Sequence, residues 1–421
     1  MYKRYSQLKK LNSDFLILGA GIIGLNVAKA IYRTYPKAIV RIIEKEHSPG
    51  LHASGRNSGV IHAGIYYSTD SMKAKFCREG NRAMTQYCKD NHLDFNNCGK
   101  FIVASNEREY QELYSIYKQG IENGIDIQLM SRTEAMKREP LLRGYGEEVI
   151  WSPSTSVANP RQVIKCLSNE IREKYGKYCS QFYNTEILKL EKSNQKDCIE
   201  VASKDFLFES KYLINCTGQQ ALGISKKFLF SNFYNMLPVK GNYLISDMNC
   251  SDYVKTLVYP VPMKDAHFLG VHSTITPTGH IKVGPSATPA FGIENYNKLE
   301  KVKPNDLFGT IGKYASLLFS SQAGMVTSLA FQELPKLSKN KMLESVRKIH
   351  DVPPCNYSWY PPGIRSQLYD VRTKKFLSDF RLEYDGFSMH VLNTVSPGWT
   401  CSSPFADHIV SKISKVFRLD N

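Results

Sequence analysis

The sequence predicts an α/β chain in which a parallel-sheet domain is interleaved with an α+β domain carrying a mostly antiparallel sheet. Three observations predict it. First, Gly19, Gly21 and Gly24 spell G-x-G-x-x-G directly after the apolar run Phe15–Leu18, and a second apolar run, Ile39–Ile43, ends in Glu44. A strand, a glycine turn, a helix and a second strand ending in an acid about 20 residues past the glycines form a Rossmann-like dinucleotide fingerprint. Second, strand and helix signals alternate from residue 14 to about 95, which implies βαβ units. Third, residues 237–285 alternate apolar and polar positions and contain prolines, as antiparallel strands of a separate sheet do.

Each part of the fingerprint has a physical task. Gly19 permits the strand-to-helix turn, Gly21 lets backbone approach a pyrophosphate, and Gly24 lets the helix lie close to the strand. The helix N-terminus offers N–H groups and a positive dipole end to phosphate. Glu44 can accept ribose hydroxyls, and Lys45 beside it is counted with the cofactor-binding residues.

Further along, Phe101–Ala104 opens a different region as an apolar strand. A polar helix is expected over Glu107–Asn123 and a strand over Ile125–Leu129. Ser131, with Glu134 three residues on, marks a capped helix start. Asn159-Pro160 precedes a helix over Arg161–Lys174, and Tyr212–Cys216 reads as a buried strand ending in Thr217-Gly218. Ligands of doubly wound sheets sit at such carboxyl ends, with a plain strand-end turn as the alternative reading. Strand character returns over Met389–Gly398. An amphipathic helix with Ile409, Ile413 and Val416 on one face closes the chain. No flexible linker separates these parts, so each domain is expected to be assembled from several segments.

Composition narrows the class. The 421 residues suffice for two or three cores, and 42% hydrophobic with 22% charged residues is ordinary for a globular protein. The longest apolar stretch, Phe15–Leu25, holds three glycines and is too short to span a bilayer. Met1–Lys10 is charged without an apolar centre, so no secretory signal is expected. The ten cysteines contain no C-x-x-C pair and read as reduced cytoplasmic thiols, not as a disulfide framework or zinc site. No metal is expected, because His-x-x-x-His and clustered Cys/His spacings are absent. The net charge of +16 has three readings: a solvated basic surface, attraction to an acidic substrate or anionic membrane face, and nucleic-acid binding. No nucleic-acid motif accompanies the charge, so nucleic acid is not an expected partner.

Residues 52–67 read His-Ala-Ser-Gly-Arg-Asn-Ser-Gly-Val-Ile-His-Ala-Gly-Ile-Tyr-Tyr. With the glycine fingerprint, this block resembles the FAD-dependent L-2-hydroxyglutarate dehydrogenase/oxidase family, within the D-amino-acid-oxidase-like flavoprotein group. Tyr259-Pro-Val-Pro, Leu269-Gly-Val-His-Ser-Thr, Gly284-Pro-Ser-Ala, Pro362-Gly-Ile-Arg-Ser, Ser378-Asp-Phe and His390-Val-Leu-Asn-Thr-Val-Ser-Pro resemble its other blocks, so the likeness runs from about residue 13 to 418. Together with the element pattern it gives an FAD-binding domain over 13–95, 155–235 and 355–421, and a substrate-binding domain over 96–154 and 236–354.

The resemblance implies FAD as cofactor and an L-2-hydroxy acid as substrate, with L-2-hydroxyglutarate oxidised to 2-oxoglutarate as the best match. It implies oxygen or a quinone as electron acceptor and a cytoplasmic location, with peripheral membrane contact open to a quinone-coupled enzyme. By the same resemblance Glu44 would hold the adenosine ribose, and Ser54, Asn57, Ser58 and Gly59 would lie along the pyrophosphate and flavin. Thr217 and Gly218 would approach the dinucleotide. Ser396, Pro397 and Gly398 would approach the flavin from the C-terminal side, and His62 would face its reacting end. The chain departs from the family pattern at Arg56, where histidine is common, at Lys240-Gly241, where Arg-Gly is common, and at Gly398-Trp399-Thr400-Cys401, where small residues are usual.

Oxidising a hydroxy acid needs a hydride acceptor, a base for the hydroxyl proton and cations for the carboxylates. Histidine is the usual base. His62 is the first candidate, with a hydrogen-bonded structural histidine as the alternative. His272 reads equally as a base, a ligand or a satisfied core histidine, and His390 reads as structural. Arg365 is the candidate carboxylate anchor through bidentate pairing, with an interdomain salt bridge as the alternative. Lys240 is the second cation candidate, against a solvated loop lysine. Tyr66 and Tyr243 are candidate hydrogen-bonding groups. Rival functions are an amino-acid or secondary-amine oxidase of the same fold, a specialised biosynthetic flavin oxidase with a remodelled pocket, and a low-turnover flavoprotein with an RNA or membrane-surface role.

Overall fold

The computed structural model describes residues 8–417 apart from 194–195, 263–269, 298–303, 319–323, 325–326, 328–330 and 332. The chain forms two compact units, each built from separate stretches: Met1–Gly55, Arg161–Met236 and Leu368–Asn421 in the first, Arg56–Pro160 and Leu237–Gln367 in the second. The sequence reading drew its first boundary at residue 95, whereas compactness draws it at Gly55. The short strand Val60–Ile61 stays out of the parallel sheet and pairs antiparallel with Ser156–Ala158, which also pairs with Phe95–Asn96.

In the first unit the strands Phe206–Asn215, Lys9–Leu18, Val40–Ile43 and Cys179–Phe182 lie side by side, each parallel to the next. Ser388–Leu392 runs parallel to Phe206–Asn215 and carries Arg381–Tyr384 antiparallel on its other edge. Lys189–Lys192 and Ile199–Ala202 extend the sheet as an antiparallel meander. Phe15, Leu16, Ile17 and Leu18 are all buried, as a continuous apolar run must be in a parallel sheet covered on both faces. The helix Ile22–Thr34 starts at the glycine turn and packs against the closing helix Ser402–Val416. Asn26 Nδ2 donates to Ser402 Oγ at 3.2 Å across that contact. Ile409 and Ile413 of the closing helix are fully buried, while Val416 is half-buried.

The second unit is organised by a long sheet in the order Tyr357–Asp370, Tyr234–Ser246, Ile281–Pro289, His272–Ile275, Leu257–Pro260, Lys100–Val103, Glu148–Ser152, Gln128–Ser131. Its pairings are antiparallel at Tyr234–Ser246 with Ile281–Pro289, at both edges of His272–Ile275, and at both edges of Glu148–Ser152. Leu257–Pro260 and Lys100–Val103 run parallel. The mostly antiparallel expectation therefore holds, and both fold components are present.

Local differences have local causes. The strand expected over Phe101–Ala104 starts one residue earlier and takes Lys100 into the sheet. The strand expected over Ile125–Leu129 lies instead at Gln128–Ser131. Ile125 and Ile127 are buried from the preceding coil, packed with Leu113 and Ile116 of the helix Glu107–Glu122, so their alternation reflects burial and not pairing. Ser131 Oγ does accept from Glu134 N–H at 3.2 Å and starts the helix Arg132–Arg138. Within the antiparallel region expected over residues 237–285, one strand begins at His272, and Leu269 lies outside the described residues. No disulfide joins any two of the ten cysteines. No helix among the described residues is long and apolar enough to cross a membrane.

Candidate active site

The glycine turn of the first unit forms a cradle with no room for side chains. Gly19 has φ +97°, and a Cβ there would lie 2.8 Å from Cys216 O. A Cβ on Gly24 would lie 2.1 Å from Gly19 O, so the helix sits against the turn as only glycine allows. Gly21 is the helix N-cap and contributes no side-chain cap, while the next amide, Ile22 N–H, donates to Ser54 Oγ at 3.0 Å. Glu44, at the end of the second strand, accepts from Ala20 N–H at 2.9 Å and from Glu46 N–H at 3.0 Å. One lone pair on each carboxylate oxygen is left for a ligand hydroxyl. Lys45 pairs with Glu46 at 3.2 Å. Thr217 Oγ1 donates to Asn215 Oδ1 at 2.7 Å, and Gly218, with φ +54°, faces open space.

The segment Ser396–Gly398 is equally tight: a Cβ on Gly398 would lie 2.5 Å from Thr394 O. Next to it, Trp399 is buried and its Nε1 donor has no acceptor among the described residues. A glycine turn that opens a helix, acceptors for a ribose and an orphaned indole N–H fit a bound dinucleotide such as FAD. His390, beneath this segment, is structural: its Nδ1 accepts from Asn215 Nδ2 at 3.1 Å, its Nε2 faces Ser388 Oγ at 3.2 Å, and burial lowers it to about 4.

In the second unit, Asn57 Oδ1 accepts from Gly59 N–H at 2.8 Å, and Ser58 Oγ from Val60 N–H at 3.4 Å. Gly59 has φ +82°, and a Cβ there would lie 2.3 Å from Ala158 O. The chain then enters the loop bearing His62, Tyr66 and Tyr67. Three amide side chains hold that loop. Asn81 Nδ2 donates to Ile61 O and His62 O, both at 3.2 Å, and to Ser154 O at 3.0 Å. Asn123 Nδ2 reaches Tyr67 O at 2.8 Å, and Gln119 Nε2 reaches it at 2.9 Å. Cys77 Sγ adds a bond to His62 O at 3.3 Å.

The sheet supplies the other groups. Directly paired residues share a face and neighbours along a strand alternate. Leu257 pairs with Lys100 and Tyr259 with Ile102, so Lys100 and Tyr259 share a face. Val258 pairs with Ser273, which places His272 on the Tyr259 face and Ser273 behind it. The back face is apolar core, with Phe101, Val103 and Val258 packed on Leu142, Trp151 and Ile349. On the front, the His272 imidazole stacks on Tyr259 with ring centroids 3.7 Å apart, and Lys100 Nζ lies 5.1 Å from the same ring and 4.7 Å from that of Tyr66.

Electrostatics joins these groups. Burial, with the nearby charges of Lys100, His272 and Arg365, pushes His62 down to about 3. Burial also pushes His272 down to about 3, assisted by Lys100 and Arg365 and opposed by the Gly270 hydrogen bond. His272 Nδ1 faces Gly270 O at 2.9 Å and must donate to it, which leaves Nε2 as a lone pair. Burial lowers Arg365, against the attraction of Tyr243 and Tyr67, and raises Tyr243 to about 12. Burial and the neighbouring cations keep both imidazoles neutral, and the cations can meet an anion.

His62, His272, Arg365, Tyr66 and Tyr243 are thus linked by contacts or charge. Lys240 is not part of that linkage: its Nζ donates to Asn295 Oδ1 at 3.3 Å, and burial lowers it. Two participants escaped the sequence reading. Lys100 is 1% exposed, and its one sequence signal is a lysine heading an otherwise apolar strand. Asn81 is a buried amide in the helix Met72–Asp90 and gave no signal.

Comparison with known proteins agrees with this architecture. Residues 14–330 match the family model of FAD dependent oxidoreductases. An L-2-hydroxyglutarate dehydrogenase of Escherichia coli O17:K52:H18 is 31% identical over 417 residues, covering 95% of this chain and 93% of that protein. The mitochondrial L-2-hydroxyglutarate dehydrogenase of Dictyostelium discoideum is 31% identical over 421 residues, covering 96% and 93%. Among solved structures, FAD-bound L-alpha-glycerophosphate oxidase of Mycoplasma pneumoniae superposes with a TM-score of 0.72 at 22% identity, covering 98% of this chain and 97% of that one. The glycine turn, the sheet that carries it and a family match over three quarters of the chain lead to one assignment: this chain belongs to the FAD-dependent oxidoreductase family.

Proposed function

We propose that the chain oxidises an L-2-hydroxy acid, L-2-hydroxyglutarate to 2-oxoglutarate, with FAD as its cofactor. The observation that carries this reading is the electrostatic linkage of two neutral histidines with buried cations, supported by relatives that bear that name over almost their whole length. Gly19, Gly21, Gly24, Glu44, Lys45, Ser54, Thr217, Gly218 and Ser396–Gly398 would hold the cofactor, joined by Asn57, Ser58 and Gly59. When bound, FAD supplies a hydride acceptor.

The protein's own groups do the rest. Arg365 pairs with the α-carboxylate through its guanidinium fork. His62, held by Asn81 and Cys77 through its backbone, takes the hydroxyl proton. His272 offers its fixed Nε2 lone pair as the second acceptor, and Tyr243 stands beside Arg365 as a hydroxyl donor. Oxygen or a quinone takes the electrons afterwards. For a quinone, the +16 charge favours peripheral attachment to an anionic membrane face.

The test is anaerobic bleaching of the flavin band by a panel of L- and D-2-hydroxyglutarate, L-lactate, L-malate, glycine and sarcosine. Rapid bleaching by L-2-hydroxyglutarate is expected. Bleaching by an amine alone would transfer the chain to the amine-oxidase reading.

A further inference from the structure

Lys100 is a fully buried cation whose partner is absent from the described residues. Lysine is almost never buried this deeply without an acid beside it. Its Nζ has no hydrogen bond or ion pair among the described residues and lies only over the rings of Tyr66 and Tyr259. The Tyr66 hydroxyl is itself buried with no hydrogen-bond partner among the described residues. The groups around Lys100 that titrate or carry charge are His62, Tyr66 and Cys77 from the preceding segment and Tyr259 and His272 from neighbouring strands, while Arg365 acts on the same two histidines. None of them is a carboxylate. The Lys100 ammonium and the Tyr66 hydroxyl thus lie buried without a carboxylate among the described residues, and the His272 imidazole stacks on Tyr259 beside them.

We propose that Lys100, with the hydroxyl of Tyr66, receives the second carboxylate of a hydroxy dicarboxylate and so sets the preference for a dianionic substrate. The inference rests on the hydroxy-acid reading, in which Arg365 takes the α-carboxylate. Two cations that both bear on His62 and His272 discriminate against a monocarboxylate, which leaves one of them buried and unpaired. Burial lowers Lys100 to about 7. Above neutrality most molecules therefore hold it uncharged, and a carboxylate that binds there draws a proton in with it.

The experiment uses the FAD-loaded enzyme. For the wild type and Lys100→Met, kcat/KM is measured with L-2-hydroxyglutarate and with L-2-hydroxybutyrate, which keeps the reacting end and lacks the second carboxylate. The preference for the dicarboxylate should fall about 100-fold through KM, and Lys100→Arg should recover part of it. An equal loss on both substrates, or no loss, would overturn the proposal. Calorimetric titration of the wild type with glutarate at pH 8, in buffers of different ionisation enthalpy, gives a second measure that needs no variant. Close to one proton should be taken up per glutarate. No binding, or no uptake, would overturn the proposal, as would uptake that persists in a folded Lys100→Met. Should glutarate bind with proton uptake while L-2-hydroxyglutarate fails to bleach the flavin, the reaction assignment falls and the role of Lys100 stands.

Discussion

His272 lies flat on Tyr259, ring centroids 3.7 Å apart and planes 19° from parallel, with its Nδ1 proton held by Gly270 O. That arrangement fixes the tautomer before any ligand arrives. It also gives a pH signature. Both His62 and His272 are pushed down to about 3, so the free enzyme keeps them neutral well below the ordinary histidine range. Between pH 7 and 5, kcat/KM should therefore show no acid limb, where an unperturbed histidine base would lose activity. His62→Asn should lower kcat by about 10²–10⁴-fold if it removes the base. An acid limb near pH 6.5 in the wild type would overturn the neutral-pair account.

The loop that carries His62 depends on Asn81, whose amide reaches three carbonyls from one helix position. Asn81→Leu removes those donors and leaves the catalytic groups chemically unchanged. A misplaced base costs turnover more than binding, so kcat should fall about 10–100-fold with a small change in KM. Stopped-flow reduction separates the two parameters. A rise in KM at constant kcat would assign Asn81 to substrate binding instead.

The parts of this molecule that were legible in its sequence are those whose signals are local. Gly19, Gly21, Gly24 and Glu44 act within one βαβ unit, and the capping of Ser131 by Glu134 acts within one turn. The substrate face is different. Lys100 owes its burial to Tyr66 on one side and to Tyr259, a strand far along the chain, on the other. Lys240, the second cation candidate, donates to Asn295 Oδ1, a partner 55 residues away that its own sequence block does not announce. Ile125 and Ile127 show the same limit: alternation reports which side chains are buried, and tertiary packing decides whether the backbone pairs.

Behind His272, the neighbouring Ser273 Oγ lies 2.6 Å from His350 Nδ1, and His350 Nε2 lies 3.3 Å from Glu139 Oε1. Glu139 Oε2 accepts from the amides of Lys255 at 2.8 Å and Thr256 at 2.9 Å. All three side chains are fully buried. Burial alone would raise Glu139, but His350 and the two amides outweigh it and hold the carboxyl below its usual range. Glu139→Ala leaves a buried imidazole and two amides unpaired and should cost about 3–5 kcal/mol. Because the cluster is on the back of the strand, the folded fraction should retain most of its turnover. The native state also resists protonation at His62, His272 and Glu139, while the unfolded chain does not. Stability should consequently fall as pH drops from about 6.5 toward 3. Denaturation midpoints measured across that range check the sign, and His272→Gln should flatten the slope.

Lys100 makes the same demand on the fold at higher pH, and its size separates a functional lysine from a structural one. Its folded value of about 7 lies far below the 10.5 of an exposed lysine. Between those values the unfolded chain holds a proton that the folded chain has given up, so folding is penalised as pH falls from 10.5 to 7 and the penalty is fully in place at neutrality. By linkage the penalty is on the order of 4 kcal/mol. Lys100→Met keeps the apolar stem and removes the charge, so the denaturation midpoint at pH 7 should rise while the preference for a dicarboxylate is lost. The gain should shrink toward zero as pH approaches 10.5, where the wild-type side chain is neutral in both states. In the wild type, kcat/KM for the dicarboxylate should decline above pH 7 as Lys100 loses its proton, and the variant should lack that limb. A variant that is less stable at pH 7 would mean that the lysine is held by partners within the protein, and the site would then have no second anchor to offer.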